Sequence, residues 1–206
     1  LPTGRNMYAI DPNEIPSHTA YAIGMDLGAQ LLERQLEDTG KYPDSIAIVL
    51  YSGDQMRTYG EDIGEILWLM GLRPQWLSDT SDKVVGLEVI PLSELGRPRI
   101  DVVSRISGLL RDTFPNIITL IDEAVRIVVA LDESNEDNYV KKHYDEQLAQ
   151  LLEDGIDPET ARQEAAIRVF GCPPGTYGGG VNVLVETKQW QNSDDLGTAA
   201  ITWGGH

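Results

Sequence analysis

Two short stretches concentrate the side chains that could do chemistry. YSGDQMRTYGE, Tyr51–Glu61, offers Ser52, Asp54, Arg57, Thr58 and Glu61. RISGLLRDTFPN, Arg105–Asn116, offers Arg105, Ser107, Arg111, Asp112 and Asn116. Gly53 and Gly108 permit a close backbone approach at each turn. Arg97, Arg99, Arg105 and Arg111 form the one cationic concentration in an acidic chain. A guanidinium pairs with carboxylate in a bidentate fork. Either each arginine pairs with a local acid such as Asp101 or Asp112, or the group recognises an anionic ligand. A polycarboxylate suits so many forks better than a single phosphate does.

Other chemistry finds less support. His18, His143, His206 and Cys172 are far apart and lack metal-ligand spacing. No metal site built from this chain alone is expected, although His143 in NYVKKHYDE could join one; otherwise it is a helix-surface histidine. Gly40-Lys41 is followed by Tyr42, so no phosphate-binding loop of the GxxxxGK[ST] type is present. No GxSxG nucleophile elbow occurs either. The loop FGCPPGTYGGGVN, Phe170–Asn182, holds the only cysteine. It could cradle a phosphate, present a thiol, or turn the chain where nothing bulkier fits.

The elements that must position these groups read as α/β. A helix enters after Pro16, with Ala20, Ile23, Leu27, Leu31 and Leu32 as its apolar set and Gly40 as its stop. SIAIVLY, Ser45–Tyr51, is an apolar run expected to be a strand buried on both faces of a parallel sheet. A helix over 60–70 stops at Gly71. LRPQWL and KVVGLEVI read as extended, and 97–107 contains a third strand. A long helix covers 115–131, with Ile117, Leu120, Ile121, Ala124, Val125 and Val128 on one face. Beyond it the strand signal ends. Residues 138–153 and 158–170 read as polar-faced helices, Pro158 sitting in a first turn where its missing N–H costs nothing. VNVLVE, after the glycines, is read as helix. The expected fold is therefore an open, mainly parallel, Rossmann-like sheet flanked by helices over 1–131, with a helical C-terminal extension over 132–206. Ligands of such sheets bind outside the carboxyl ends of strands, where both chemistry-bearing stretches should lie, as neighbours if their strands are.

The formal net charge is −17. It argues against nucleic acid and against an anionic membrane surface. Residues 131–165 alone carry eleven acids against Lys141, Lys142 and Arg162. That segment is either a solvated helix pair or a docking face for a basic partner. One cysteine gives no internal disulfide, and no apolar run approaches the ~18 residues of a membrane span. The ends, LPTGRN and TWGGH, do not resemble natural termini, so an excised piece of a larger cytoplasmic protein is expected.

LPTGRNMYAIDPNEIP, IVLYSGDQMRTYGE, LSELGRPRIDVVSRISGLLRDTFPN, DNYVKKH and RVFGCPPGTYGGGVN resemble, in order, blocks of the large subunit of cobaltochelatase (CobN) and its relative, the magnesium chelatase large subunit. The resemblance spans almost the whole chain and implies an internal piece of a tetrapyrrole-binding subunit. Enzymes of this family insert a divalent metal into a tetrapyrrole, and separate AAA+ ATPase subunits hydrolyse ATP with Mg to drive insertion. The substrate metal implied is cobalt, with no cofactor held by this piece itself. Remaining domains of the same subunit are further partners, and the piece alone is expected to be inactive. Arg105 and Arg111 are the first candidates for ring carboxylates. Arg5 and Asn6 lie in the opening block, and Arg57 in the second. Tyr177 could line a ring cleft or belong to the core. Insertion needs groups that accept two pyrrole protons, and Glu61, Asp54 or His143 could do so. RISGLLRDTFPN and DQMRT look closer to the cobalt type, whereas YGE looks like the magnesium type and SGD departs from a GTD common to both. The alternatives are a magnesium-type subunit acting on protoporphyrin, and a scaffold that docks the ATPase subunits through its acidic helices.

Overall fold

The run SIAIVL forms β1, Ser45–Leu50, and pairs in parallel with β4, Asp101–Ile106. β4 pairs in parallel with the two-residue β5, Val169–Phe170. The order is β1-β4-β5, so β4 is central and β1 an edge. The computed structural model that gives this architecture describes residues 10–177 and 180–205. The fold is α/β with a parallel sheet flanked by helices.

Parallel neighbours need long crossovers. The first runs through α2 (Ser52–Thr58), α3 (Glu61–Leu69), a hairpin and α4 (Leu92–Leu95). The hairpin is β2 (Leu72–Ser78) against β3 (Ser81–Val89), antiparallel and separate from the main sheet. The second crossover holds α5 (Gly108–Thr113), α6 (Pro115–Val129), α7 (Tyr139–Glu153) and α8 (Pro158–Ala165). After β5 come α9 (Val181–Thr187) and α10 (Ser193–Gly204). Leu50, Val102 and Ile106 from the sheet share one core with Ile63, Ile66 and Leu67 of α3 and with Ile117, Ile121, Val125 and Val128 of α6.

Three expectations need correction. β1 is not buried on both faces: Ser45, Ala47 and Val49 are exposed while Leu50 is buried. It is an edge strand, and the described residues cover only its inner face. The helix after Pro16 is α1, His18–Thr39, capped by Ser17 and closed by left-handed Gly40. Its buried side is Ala20, Gly24, Gly28 and Leu32 rather than Ile23, Leu27 and Leu31, which are exposed. The reason is the partner. α3 crosses so closely that a Cβ on Gly24 would strike the Glu61 carbonyl, and one on Gly64 would meet Tyr21 Cα at 2.7 Å. Glycine here permits backbone contact, and the larger side chains turn outward. Finally, the helix expected over 158–170 ends at Ala165. Val169 and Phe170 close the sheet, a strand too short for any periodicity to reveal.

A buried charge holds the crossover together. Arg99 is fully buried and donates through Nε and Nη2 to both oxygens of Glu133 at 2.8 Å. It also donates to the carbonyls of Gly71 at 2.8 Å and Ile90 at 2.9 Å. Arg97 lies over the Trp68 ring at 4.0 Å and donates to the Trp68 and Leu69 carbonyls. Burial pulls its pKa down to about 10, so it remains charged at neutral pH.

Candidate functional site

Each of the three strands ends, at the same edge, in a segment with chemical content. Leu50 and Ile106 are register partners, so α2 and α5 start side by side. The Ser107 N–H donates to the Leu50 carbonyl at 3.1 Å, and the Ser107 hydroxyl caps α5 by accepting from Leu110 N. β5 ends at Phe170, so the glycine loop starts at that edge too. The two sequence stretches are therefore neighbours, as their strands are, and the loop forms a third wall.

Arg111 organises this edge. Its Nη1 donates to the carbonyls of Cys172 at 2.7 Å and Pro173 at 2.8 Å. Its Nε donates to Asp112 Oδ1 at 2.7 Å and its Nη2 to Asp112 Oδ2 at 3.1 Å. The Tyr177 hydroxyl donates to the same Asp112 oxygen at 2.5 Å. Hydrogen bonds from Arg111 and Tyr177 hold the Asp112 carboxyl below its usual range. The hydrogen bond to Asp112, and then its charge, raise the Tyr177 phenol, while the Arg111 charge opposes them. The loop fits because α5 begins with glycine: a Cβ on Gly108 would lie 2.6 Å from the Thr176 carbonyl oxygen. A Cβ on Gly171 would likewise lie 2.8 Å from Ile106. Gly175 turns the chain at φ 78°. The loop's described glycines thus serve turns and close approach.

Arg57 pairs with Asp54 at 2.8 Å on the open surface of α2. Glu61 opens α3, and its carboxylate makes no hydrogen bond or ion pair among the described residues. Gln55, wholly buried, donates to Asp62 at 2.6 Å. Arg105 does not face open solvent. Its Nη2 donates to the Ala200 carbonyl at 2.8 Å, and its guanidinium lies against Gly204 at the end of α10. A cation at a helix carboxyl end is favourably placed. Tyr51, Met56, Tyr59, Leu109 and Tyr177 are exposed on the same three edge segments.

His143 belongs elsewhere. It bonds through Nδ1 to Asp101 at 2.9 Å, at the opposite, amino end of β4. Five residue steps at about 3.3 Å each separate the two ends of that strand. Asp54 and Glu61 are therefore on one edge and His143 on the other. Nor is His143 a plain helix-surface histidine, because Asp101 is buried and also accepts from Arg168 Nε at 2.8 Å. Asp101 thus serves Arg168 and His143 rather than Arg97 or Arg99. Arg168 escaped sequence reasoning; the available signal was a lone arginine immediately ahead of VF in the RVFG block. Arg5 and Asn6 lie outside the described residues. Among the described residues no group of three or more His, Cys, Asp or Glu is placed to hold a metal ion, and no helix is long and apolar enough to cross a membrane. A separate cleft of about 770 Å³ opens between α6, α7 and α8, lined in part by Asp122, Arg126, Tyr144 and Arg162. It contains none of the residues placed at the carboxyl edge of the sheet.

An open parallel sheet with its polar and aromatic groups gathered at the carboxyl edge is a ligand-binding α/β architecture. Comparison makes the class specific. The family model CobN/Magnesium Chelatase matches residues 1–206. An uncharacterized protein of Methanocaldococcus jannaschii is 50% identical over 100% of this chain, which spans 17% of that protein. The chloroplastic magnesium-chelatase subunit ChlH of Oryza sativa subsp. japonica is 45% identical over 95% of this chain and 14% of its own length. The catalytic subunit of cobaltochelatase from Mycobacterium tuberculosis superposes with a TM-score of 0.86 at 43% identity, over 98% of this chain and 16% of that one. The chain belongs to the CobN/magnesium chelatase family. It spans about a sixth of the length of the first of these relatives and about a seventh of the second.

Proposed function

We propose that this chain is part of the tetrapyrrole-binding large subunit of an ATP-dependent metal chelatase, and that its carboxyl edge contacts the ring during insertion of cobalt into a corrinoid precursor in cobalamin biosynthesis. The observation that carries the reading is the convergence at that edge. Three of the segments that resemble the family follow three adjacent parallel strands and bring Arg57, Arg111, Glu61 and five exposed apolar or aromatic side chains to one side of the sheet. A flat macrocycle with carboxylate arms needs an apolar surface and guanidinium partners. Arg57 is the freer cation. Arg111 has most of its donors committed and acts mainly by fixing the Tyr177 loop. Arg105 reaches a carboxylate only when α10 yields it.

Insertion requires removal of two pyrrole protons as the cation sheds water. Glu61, at the start of α3 with no partner for its carboxylate among the described residues, is the best-placed base, with Asp54 on the adjoining helix. His143, at the far edge, does not share a ring with them. ATP hydrolysis belongs to partner AAA+ subunits. Cobalt is preferred to magnesium because RISGLLRD and DQMRT resemble the cobalt type. The identities of 43% to a cobaltochelatase and 45% to a magnesium chelatase do not separate the metals.

The test is an absorbance titration with a hydrogenobyrinate-type corrinoid and, in parallel, with protoporphyrin. Saturable corrinoid binding, weakened about tenfold or more by Arg57→Ala or Arg111→Ala, is expected, since a hydrogen bond to a charged group contributes about 1.5–3 kcal/mol. Preference for protoporphyrin reassigns the chain to the magnesium type. Absence of binding to either ring by the folded protein refutes the edge as a ring site and favours the acidic scaffold reading, in which α7 and α8 dock the ATPase subunits.

A further inference from the structure

Among the described residues β1 is an edge strand without the charge, proline or bulge that keeps sheet edges from pairing. Its residues, Ser45–Leu50, include no charge and no proline. Its register with β4 runs without a bulge. Free edges are normally blunted by charge, proline, bulges or brevity. The other strands of this molecule obey that rule. β2 carries Arg73 and Pro74, β3 carries Asp82, Lys83 and Glu88, and their ladder shifts register twice. β5 is two residues long. β1 is the exception among the described strands.

The ladder fixes which groups are open. Leu50 O accepts from Ser107 N at 3.1 Å, and Asp44 O accepts from Asp101 N at 3.2 Å. Backbone polarity alternates along a strand, so Ile46 and Ile48 also face β4. Ser45, Ala47 and Val49 direct their N–H and C=O groups outward, where no described strand pairs with them. The side chains of the same three residues lie on the exposed face, Val49 at 51%. A parallel sheet is ordinarily covered on both faces, and here the described residues leave an edge and half a face uncovered together.

We propose that the outer edge of β1 receives an extended, uncharged segment from the rest of a longer large-subunit polypeptide, which adds as a further strand beside Ser45–Leu50 and covers Val49. Charge selects the occupant. A second copy of this chain brings its own −17 and is repelled. A basic partner finds no acid on β1 to meet. A length of neutral chain is the complement, and the relatives matched are about six times longer than this chain. Main-chain pairing of this kind gives affinity through the edge and specificity through alternate side chains. The proposal rests on family membership alone and stands whether or not the carboxyl edge binds a ring.

The experiment is hydrogen exchange with single-residue fragmentation on the full-length subunit. The Ala47 and Val49 amides are expected to exchange about 100-fold or more slowly than unpaired amides, as slowly as Ile46 and Ile48. Rapid exchange at 47 and 49 with protection at 46 and 48 overturns the proposal. Ala47→Pro in the same protein is a second reading, because it removes one outward N–H and leaves the β4 ladder intact. A lowered unfolding midpoint with loss of Val49 protection supports the added strand; a wild-type midpoint and unchanged exchange overturn it. Protection that grows with concentration alongside a dimer in light scattering assigns the edge to a second copy and also overturns the proposal.

Discussion

Arg99→Met tests whether the arginine cluster divides into a structural half and a ligand-facing half. Arg99 has no exposed surface, and its guanidinium satisfies both Glu133 oxygens and the Gly71 and Ile90 carbonyls. Removing one side of a buried pair costs about 3–5 kcal/mol, because the other charge stays behind. Each orphaned carbonyl adds about 1 kcal/mol. With two such carbonyls the expected loss is about 5–7 kcal/mol. A domain of this size shifts about 2–4 °C per kcal/mol, so the midpoint should fall by roughly 10–28 °C. Thermal and urea unfolding followed by circular dichroism measure it. Adding Glu133→Leu to Arg99→Met should recover part of the loss, since a well-packed apolar pair is often no worse than a buried ion pair. Below the lowered midpoint, ring binding should stay at the wild-type level, in contrast to Arg57→Ala. A shift under 4 °C, or a double variant no more stable than the single one, refutes the argument that this pair anchors the crossover.

Alkaline pH should weaken the fold through Tyr21, whose hydroxyl donates to Leu72 O at 2.9 Å and whose burial raises its pKa to about 12. The fold favours the neutral phenol, so this contribution is whole below about pH 10 and is lost as pH climbs to about 12; Tyr21→Phe should flatten that decline in a pH series of unfolding midpoints. Gly108→Ala places a methyl against the Thr176 carbonyl and should loosen the loop, read as faster chymotryptic cleavage after Tyr177 with the β1 and β4 amides still protected; unchanged cleavage contradicts the clamp. Glu61→Gln should slow metal insertion by about 100-fold or more while ring affinity changes less than threefold; a wild-type insertion rate removes Glu61 as the base.

Much of this organisation can be read in advance because its signals are local. Ser17 and Gly40 bound α1, Pro115 opens α6, and the apolar run at 45–50 is a strand in the parallel sheet. What escapes is whatever depends on a partner distant in sequence. The inward face of α1 is set by Gly64 on α3, and glycine has no hydropathy signature to announce a close crossing. Exposure of β1 depends on what lies beside it, which its own residues do not encode. The four arginines look alike in sequence. Arg97 and Arg99 nonetheless serve backbone carbonyls and Glu133, Arg105 serves the end of α10, and Arg111 serves Asp112 and the loop. His143 is alike a residue whose meaning comes from Asp101, 42 positions away.

The glycine crossing of α1 and α3 also has a mechanical meaning. Helices that meet through long side chains can absorb a push by changing rotamers. Here Gly24 abuts the Glu61 carbonyl and Gly64 abuts Tyr21 Cα, so backbone bears on backbone with nothing compliant between. A pressure on the bare outer stripe of α1, at Ile23, Leu27 and Leu31, passes undamped to the first turn of α3. That turn begins with Glu61. The outer face of α1 is thus a rigid handle, and the residue at its far end is the carboxylate proposed as the base.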